Sequence, residues 1–266
     1  MSATALTETI LGAHVIARDR LHGGDLSKVD RLDLSDGRNV VSKQGAHVAT
    51  EAVMLRAMAE AEAPVPRVLY QTGRLLILEW LRETPASTAG WQALGRGLAT
   101  LHAAQGPDYG WPAPYAFGAL SIDNERLQNW PDFWARRRLL PFVADLPKPL
   151  ARRVERLAAA LPDRLPRTPP PALLHGDLWT GNALFSGASA YLIDPACYYG
   201  DAEVDLAMLS LFGAVPDAFF EGYGPLASDA KDRRAIYQVW PALVHLSLFG
   251  PGYLGLVENR LRAAGV

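Results

Sequence analysis

The sequence predicts an α+β chain in two lobes, a small strand-rich one with a single helix and then a larger, mainly helical one. Three observations carry this. Most of the first ~80 residues read as short strands around the hairpin signal Asp36-Gly37. One stretch inside that region, residues 47–61, changes to helical spacing. Beyond Leu81 the strand pattern gives way to helices, which sets expected units at 1–81 and 82–266.

In order, Val15–Leu21 leads into a turn, and Lys28–Leu34 and Asn39–Lys43 flank the hairpin signal. Residues 47–61 place Val48, Ala52, Leu55 and Ala59 on one helix face, and Pro64 and Pro66 stop the helix. Arg67–Gln71 and Leu75–Trp80 read as strands joined by Thr72-Gly73. Trp91–Ala103, Phe133–Val143 and Leu150–Leu161 read as helices, separated by an aromatic Pro/Gly-rich stretch and followed by a proline-rich linker. Short strands are expected at Leu173–Leu174, Ala183–Phe185 and Tyr191–Ile193, and helices resume from Val204.

Bulk composition narrows the function classes. The chain has 266 residues, 49% hydrophobic and 20% charged, enough to bury a sizeable core. A formal charge of −2 offers no basic excess for nucleic acid or an anionic membrane, so a small-molecule partner is the default. The N-terminus lacks the pattern of a secretory signal, and no long apolar run spans a membrane. The one cysteine, Cys197, has no internal disulfide partner. A reducing cytoplasm is the expected compartment.

The segment LLHGDLWTGNALF holds Asp177 and, five residues on, Asn182, between apolar strand residues. Phosphoryl transfer needs a carboxylate to orient a hydroxyl and accept its proton, and oxygen ligands for magnesium; protein-kinase catalytic loops share this Asp-to-Asn spacing. Twelve residues after Asn182, a second short strand ends in Asp194-Pro195, where another metal-binding carboxylate would sit. A turn plus a strand-ending cap is the plain alternative for the two motifs. Lys43 ends a strand and Glu51 lies in the next helix, the arrangement of a phosphate-gripping lysine held by a glutamate, or else an ordinary surface pair. The turn Gly23-Gly24-Asp25-Leu26-Ser27 could bring backbone N–H groups to phosphates or be a simple β-turn. Glu79, Trp80 and Leu81 form a connector where adenine would meet backbone donors and acceptors, or a plain strand end.

HGDLWTGN followed by IDPACYYGDAEVDLAM resembles the fructosamine/ketosamine kinase family, a branch of the aminoglycoside-phosphotransferase-like kinases. The resemblance extends through GGDLS, NWPDFWARRRL and YQVWPALVHLSLFG. It implies a bilobal protein-kinase-like fold with ATP and Mg2+ between the lobes, and a ketosamine (fructosamine or ribulosamine) as acceptor. It also implies Asp177 as base, Asn182 and Asp194 as magnesium ligands, and Lys43 with Glu51 on the nucleotide, aided by Gly23, Gly24 and Ser27. Trp179, His245 and Asp201 would then face the acceptor, with His175 and Asp205 supporting the loop. For Trp179 and His245 a core position is the alternative, for Asp205 a helix cap, and His102 reads as structural.

Two departures stand out. Where the family often carries Q-x-N-x-W, this chain has Ile122-Asp123-Asn124-Glu125-Arg126, which leaves the acceptor's identity open. Where some members carry a redox-active cysteine in the glycine turn, this chain has Asp25; Cys197 reads as a small buried residue. Of the aromatic residues between 106 and 134, most are expected to pack and one or two to reach a pocket. The same chemistry on an aminoglycoside, amino alcohol or sugar is the nearest rival reading. A silent nucleotide-binding scaffold is another.

Overall fold

The computed structural model describes residues 3–21 and 27–266. Five strands form one antiparallel sheet in the order β1-β2-β3-β5-β4: β1 (Val15–Arg20), β2 (Lys28–Leu34), β3 (Asn39–Gln44), β4 (Val68–Thr72) and β5 (Leu75–Glu79). Strand periodicity divides β5 between two cores. Leu75 and Ile77 join a cluster with Leu32, Leu34 and Val40, whereas Leu76 and Leu78 join the main core.

The first cluster is covered by α1 (Ala3–Leu11), through Leu6 and Leu11. The sequence reading placed no helix there. An isolated helix of this length is marginal, and packing against the sheet is what makes it form. The expected helix at 47–61 is α2 (Val48–Glu60), whose buried face, Val48, Ala52, Leu55 and Met58, lies on the other side of the sheet. Glu51 belongs to that buried face as well.

Beyond the sheet come α3 (Thr88–Ala103) and a small hairpin, β6 (Tyr115–Phe117) with β7 (Leu120–Ile122). The helix expected at Phe133–Val143 is instead a broken run. It begins as α4 (Trp130–Phe133), capped by the Asn129 side chain, widens into a π-helical turn over Trp134–Leu139 and tightens to 3-10 over Leu140–Asp145. Pro141 has no N–H to continue an α-helical ladder. The wide turn carries Arg138 into the core, where its guanidinium lies 4.2 Å from the ring centre of Tyr198 and 4.9 Å from that of Trp240.

After α5 (Lys148–Arg164) come four short strands: β8 (Ala172–Leu174), β9 (Ala183–Ser186), β10 (Ser189–Leu192) and β11 (Tyr198–Gly200). β9 pairs with β10, and β8 with β11. β11 was not expected, because three residues carry no periodic signal and only their pairing with Ala172–Leu174 of β8 defines the strand. Helices α6 (Glu203–Leu209), α7 (Asp217–Tyr223), α8 (Ala230–Tyr237), α9 (Val239–Phe249) and α10 (Leu254–Ala263) complete the chain.

Candidate active site

The loop after β8 is held from below by one buried carboxylate. Asp205 of α6 accepts hydrogen bonds from the backbone N–H of His175 at 2.7 Å and of Gly176 at 2.9 Å. His102 of α3 donates through Nε2 to the same carboxylate at 3.1 Å, and its Nδ1 accepts from the Tyr223 hydroxyl at 2.8 Å. Burial pushes the Asp205 pKa up, but the hydrogen bond from His102 and the other donors outweigh it and leave the group below its usual value. Asp205 is therefore a brace, and His102 is structural in a specific sense: it steadies that brace.

Gly176 turns the chain at φ +82°, and a Cβ there would stand 2.1 Å from the Ala196 carbonyl oxygen, so only glycine fits. His175 is buried, with Nε2–H donating to the Ile193 carbonyl at 2.8 Å and Nδ1 accepting from the Asp177 N–H at 3.3 Å. Burial lowers its pKa, which keeps the ring in the neutral form that this pattern needs. His175 thus ties the loop to the strand that ends at Asp194.

Above these supports the polar groups converge. Asn182 Nδ2 donates to the Asp177 carbonyl at 2.8 Å and to Asp177 Oδ2 at 3.0 Å. Burial raises the Asp177 pKa to about 7; the Asn182 hydrogen bond pulls it down, and the Asp194 and Asp205 charges push it up. Lys43 Nζ lies 2.8 Å from Glu51 Oε2 and 2.7 Å from Asp194 Oδ1. Burial alone would lower the lysine pKa, but the Asp194 and Glu51 charges outweigh it and Lys43 stays protonated. A surface pair is thereby ruled out, since both Lys43 and Glu51 are buried. Asp194 sits at φ +56°, uncommon for a residue with a side chain, and Pro195 follows it. Backbone held in such a region costs about 1–3 kcal/mol and concentrates at functional sites.

Ser27, Lys43, Glu51, Gly176, Asp177, Trp179, Asn182, Asp194 and His245 all line one cavity of about 450 Å³. Trp179 is 41% exposed, which rejects a core position. Its indole lies against Gly181, where a Cβ would stand 2.2 Å from the ring, so the glycine in this motif makes room for the tryptophan. His245 is half-buried at the cavity wall, with Nδ1–H donating to the Pro241 carbonyl at 2.7 Å.

Several expected residues are elsewhere. Asp201, expected at the acceptor, does not line the cavity. Its buried carboxylate accepts from the Tyr237 hydroxyl at 2.7 Å and the Glu203 N–H at 3.1 Å, so it joins β11 to α8. Glu79, Trp80 and Leu81 are not in the cavity wall either. The Glu79 carboxylate accepts from Arg67 at 3.1 Å, and the Arg31 guanidinium lies 5.0 Å from the centre of the Trp80 ring. Gly23, Gly24 and Asp25 lie outside the described residues.

The cavity also has walls that the sequence reading did not assign. His47, Tyr237 and Trp240 line it, as do Tyr115 and Phe117, two members of the aromatic stretch; Tyr109, Trp111, Trp130, Phe133 and Trp134 pack in the core. No spacing separates the first group from the second, because the β6–β7 hairpin alone turns Tyr115 and Phe117 toward the cavity. The divergent segment 122–126 is scaffold. Asp123 and Glu125 pair with Arg137, and Asn124 accepts from Arg138 at 2.7 Å.

Cys197 is fully buried against Met54, and burial pushes its thiol pKa well up. An aqueous disulfide reagent is therefore expected to leave the native protein unlabelled and active, and to label it only after denaturation. Rapid labelling of the folded protein with loss of activity would contradict this placement.

Magnesium fits the oxygens present. Asn182 Nδ2 is committed to Asp177 and Asp194 Oδ1 to Lys43. Asn182 Oδ1 and Asp194 Oδ2 make no hydrogen bond among the described residues. Magnesium is commonly held by one or two protein oxygens together with phosphates and water. Among the described residues no cluster of three or more His, Cys, Asp or Glu offers an all-protein metal cage.

The family model for fructosamine kinase matches residues 2–264. The chain belongs to that family. A probable ketoamine kinase of Thermus thermophilus is 34% identical over 250 residues, covering 92% of each chain. One of Synechocystis is 37% identical over 233 residues, 80% of this chain and 76% of its own. Among solved structures, a candidate fructosamine-3-kinase from Thermobifida fusca superposes with a TM-score of 0.90 at 33% identity, covering 99% of this chain and 98% of its own. At 17% identity, aminoglycoside phosphotransferase APH(4)-Ia, solved with AMP-PNP and hygromycin B, superposes with a TM-score of 0.70 over 99% of each chain. That likeness is one of fold, and it makes the α+β architecture kinase-like.

Proposed function

We propose that this protein is an ATP-dependent kinase that phosphorylates a hydroxyl of a ketosamine, a fructosamine or ribulosamine adduct, and so acts in deglycation. The observation that carries the reading is the convergence of Asp177, Asn182, Asp194, Lys43 and Glu51 on one cavity. A silent scaffold has no need to keep a buried cation between two carboxylates beside a half-buried Asp177 bonded to a buried Asn182.

In this reading residues 1–81 are the nucleotide lobe and residues 82–266 the catalytic and acceptor lobe. Lys43, oriented by Glu51, holds the nucleotide's phosphates, with Ser27 beside them; Gly23 and Gly24, outside the described residues, are proposed to contribute backbone N–H groups. Glu79, Trp80 and Leu81 offer backbone to the adenine. Asn182 and Asp194 hold magnesium, which when bound neutralises phosphate charge. Asp177 orients the acceptor hydroxyl and takes its proton as the oxygen bonds to the γ-phosphorus and ADP leaves. Trp179 lies under the sugar portion, an indole face suiting C–H groups while leaving hydroxyls free. His245 belongs to the acceptor wall.

No described helix is long and apolar enough to cross a membrane. With its weak net charge, the protein is proposed to work in the cytoplasm on a small or protein-bound ketosamine, without nucleic acid or membrane partners. The test is ATP-dependent phosphorylation of a panel of glycated amines, aminoglycosides, amino alcohols and free sugars, with mapping of the modified hydroxyl. Ketosamines are expected to be the best acceptors, and turnover to stop in excess chelator. Preference for any other acceptor class would replace the substrate assignment, and full turnover in chelator would remove the metal assignment.

A further inference from the structure

The wall that α6 and α9 give the cavity has a different character from the rest. Val204 and Met208 stand one turn apart on α6, and Val244 and Leu248 do the same on α9. The charged side chains lining the cavity, Lys43, Glu51, Asp177 and Asp194, come from β3, α2 and the two loops around the proposed phosphate chemistry. Among the described lining residues none from α6 or α9 carries a formal charge. Burial lowers the His245 pKa, so its ring is neutral at pH 7.

α9 keeps apolar side chains past its buried first half. Val239–Val244 are buried, yet the helix stays apolar as it emerges, ending in Phe249 at 51% exposure. Phe212, just past α6, is 49% exposed. The rings of Phe212, Phe249 and Tyr253 lie 5.0, 5.5 and 5.3 Å from that of His245, forming an aromatic rim. His245 and Phe249 also line the cavity, so rim and cavity are one continuous surface. An exposed apolar patch that runs into a polar reaction site is suited to the non-reacting part of the ligand.

We propose that the α6–α9 wall and its rim of Phe212, His245 and Phe249 bind the substituent carried on the ketosamine nitrogen and select for an uncharged, aromatic or branched-aliphatic group there. The inference rests on the ketosamine-kinase reading and narrows it. An aromatic substituent gains apolar contact and ring packing against the rim. A carboxylate, as in the adduct of a free α-amino acid, loses water without meeting a described cation on this wall.

Three adducts of one sugar, with benzylamine, ethanolamine and glycine, test this. The benzylamine adduct is expected to have a kcat/KM about tenfold above the ethanolamine adduct, through KM, with the glycine adduct lowest. Phe249→Ser, at a half-exposed position, is expected to fold and to draw the benzylamine-to-ethanolamine ratio toward one. Equal kcat/KM for the benzylamine and glycine adducts, or a ratio unmoved in both Phe249→Ser and Phe212→Ser, overturns the inference and leaves the kinase reading standing. So does a stable dimer dispersed by Phe249→Ser with the ratio unchanged, which assigns the rim to self-association. Failure of all three adducts, with turnover of another acceptor class, overturns the kinase-substrate reading itself and this inference with it.

Discussion

Asp177→Asn is expected to lower kcat and kcat/KM together, by about 10²–10⁴-fold, the range for loss of a general base. ATP affinity should barely change, because an interaction made only in the transition state does not contribute to ground-state binding. The fold should survive. The substitution is nearly isosteric, Asn182 keeps its 2.8 Å hydrogen bond to the residue 177 carbonyl, and the Asn side-chain oxygen can still accept the 3.0 Å contact. Asp205 continues to hold the backbone of His175 and Gly176. Single-turnover kinetics with a saturating ketosamine separate chemistry from binding. An active Asp177→Asn enzyme would mean that the proton leaves by another route.

Lys43→Met is the other large effect, and here the structure adds a consequence. Lys43 is buried between Glu51 and Asp194, so removing it strands carboxylates in addition to the loss of its proposed grip on the nucleotide. Breaking a buried pair from one side costs about 3–5 kcal/mol, and the low end is expected because Asp194, 33% exposed, can rehydrate. Two readouts are therefore predicted: a fall in Tm and a loss of ATP-dependent turnover of about 10²-fold or more. Adding Glu51→Gln should recover much of the stability without recovering activity. A folded Lys43→Met protein with ordinary ATP kinetics would sink the phosphate-gripping role.

The parts that were legible in the sequence are those whose signal is local. Asp36-Gly37 marks the β2–β3 hairpin, and the spacing of Val48, Ala52 and Leu55 marks α2, because turn chemistry and helix periodicity act over a few residues; Ala59, expected on the same face, is exposed, and Met58 takes the buried place. α1 and β11 were missed because each depends on a distant partner, the sheet for one and β8 for the other. Asp201 shows the same limit within the site. The family resemblance implies an acceptor contact for it, and only its hydrogen bond to Tyr237, 36 residues away, reveals a structural tie.

By itself the sequence pointed to phosphoryl transfer. The Asp177–Asn182 spacing, the strand ending at Asp194-Pro195 and the Lys43–Glu51 offset are short-range patterns with few competing uses when they occur together. Only the tertiary structure decided how those pieces meet: the 2.7 Å contact of Lys43 with Asp194 across 151 residues, and the His102–Asp205 brace beneath the loop. It alone also decided that the second half of α9 emerges apolar beside the reaction site. An apolar run reads the same whether it faces a core or a cavity, and burial, which separates the two, is a property of the packed chain.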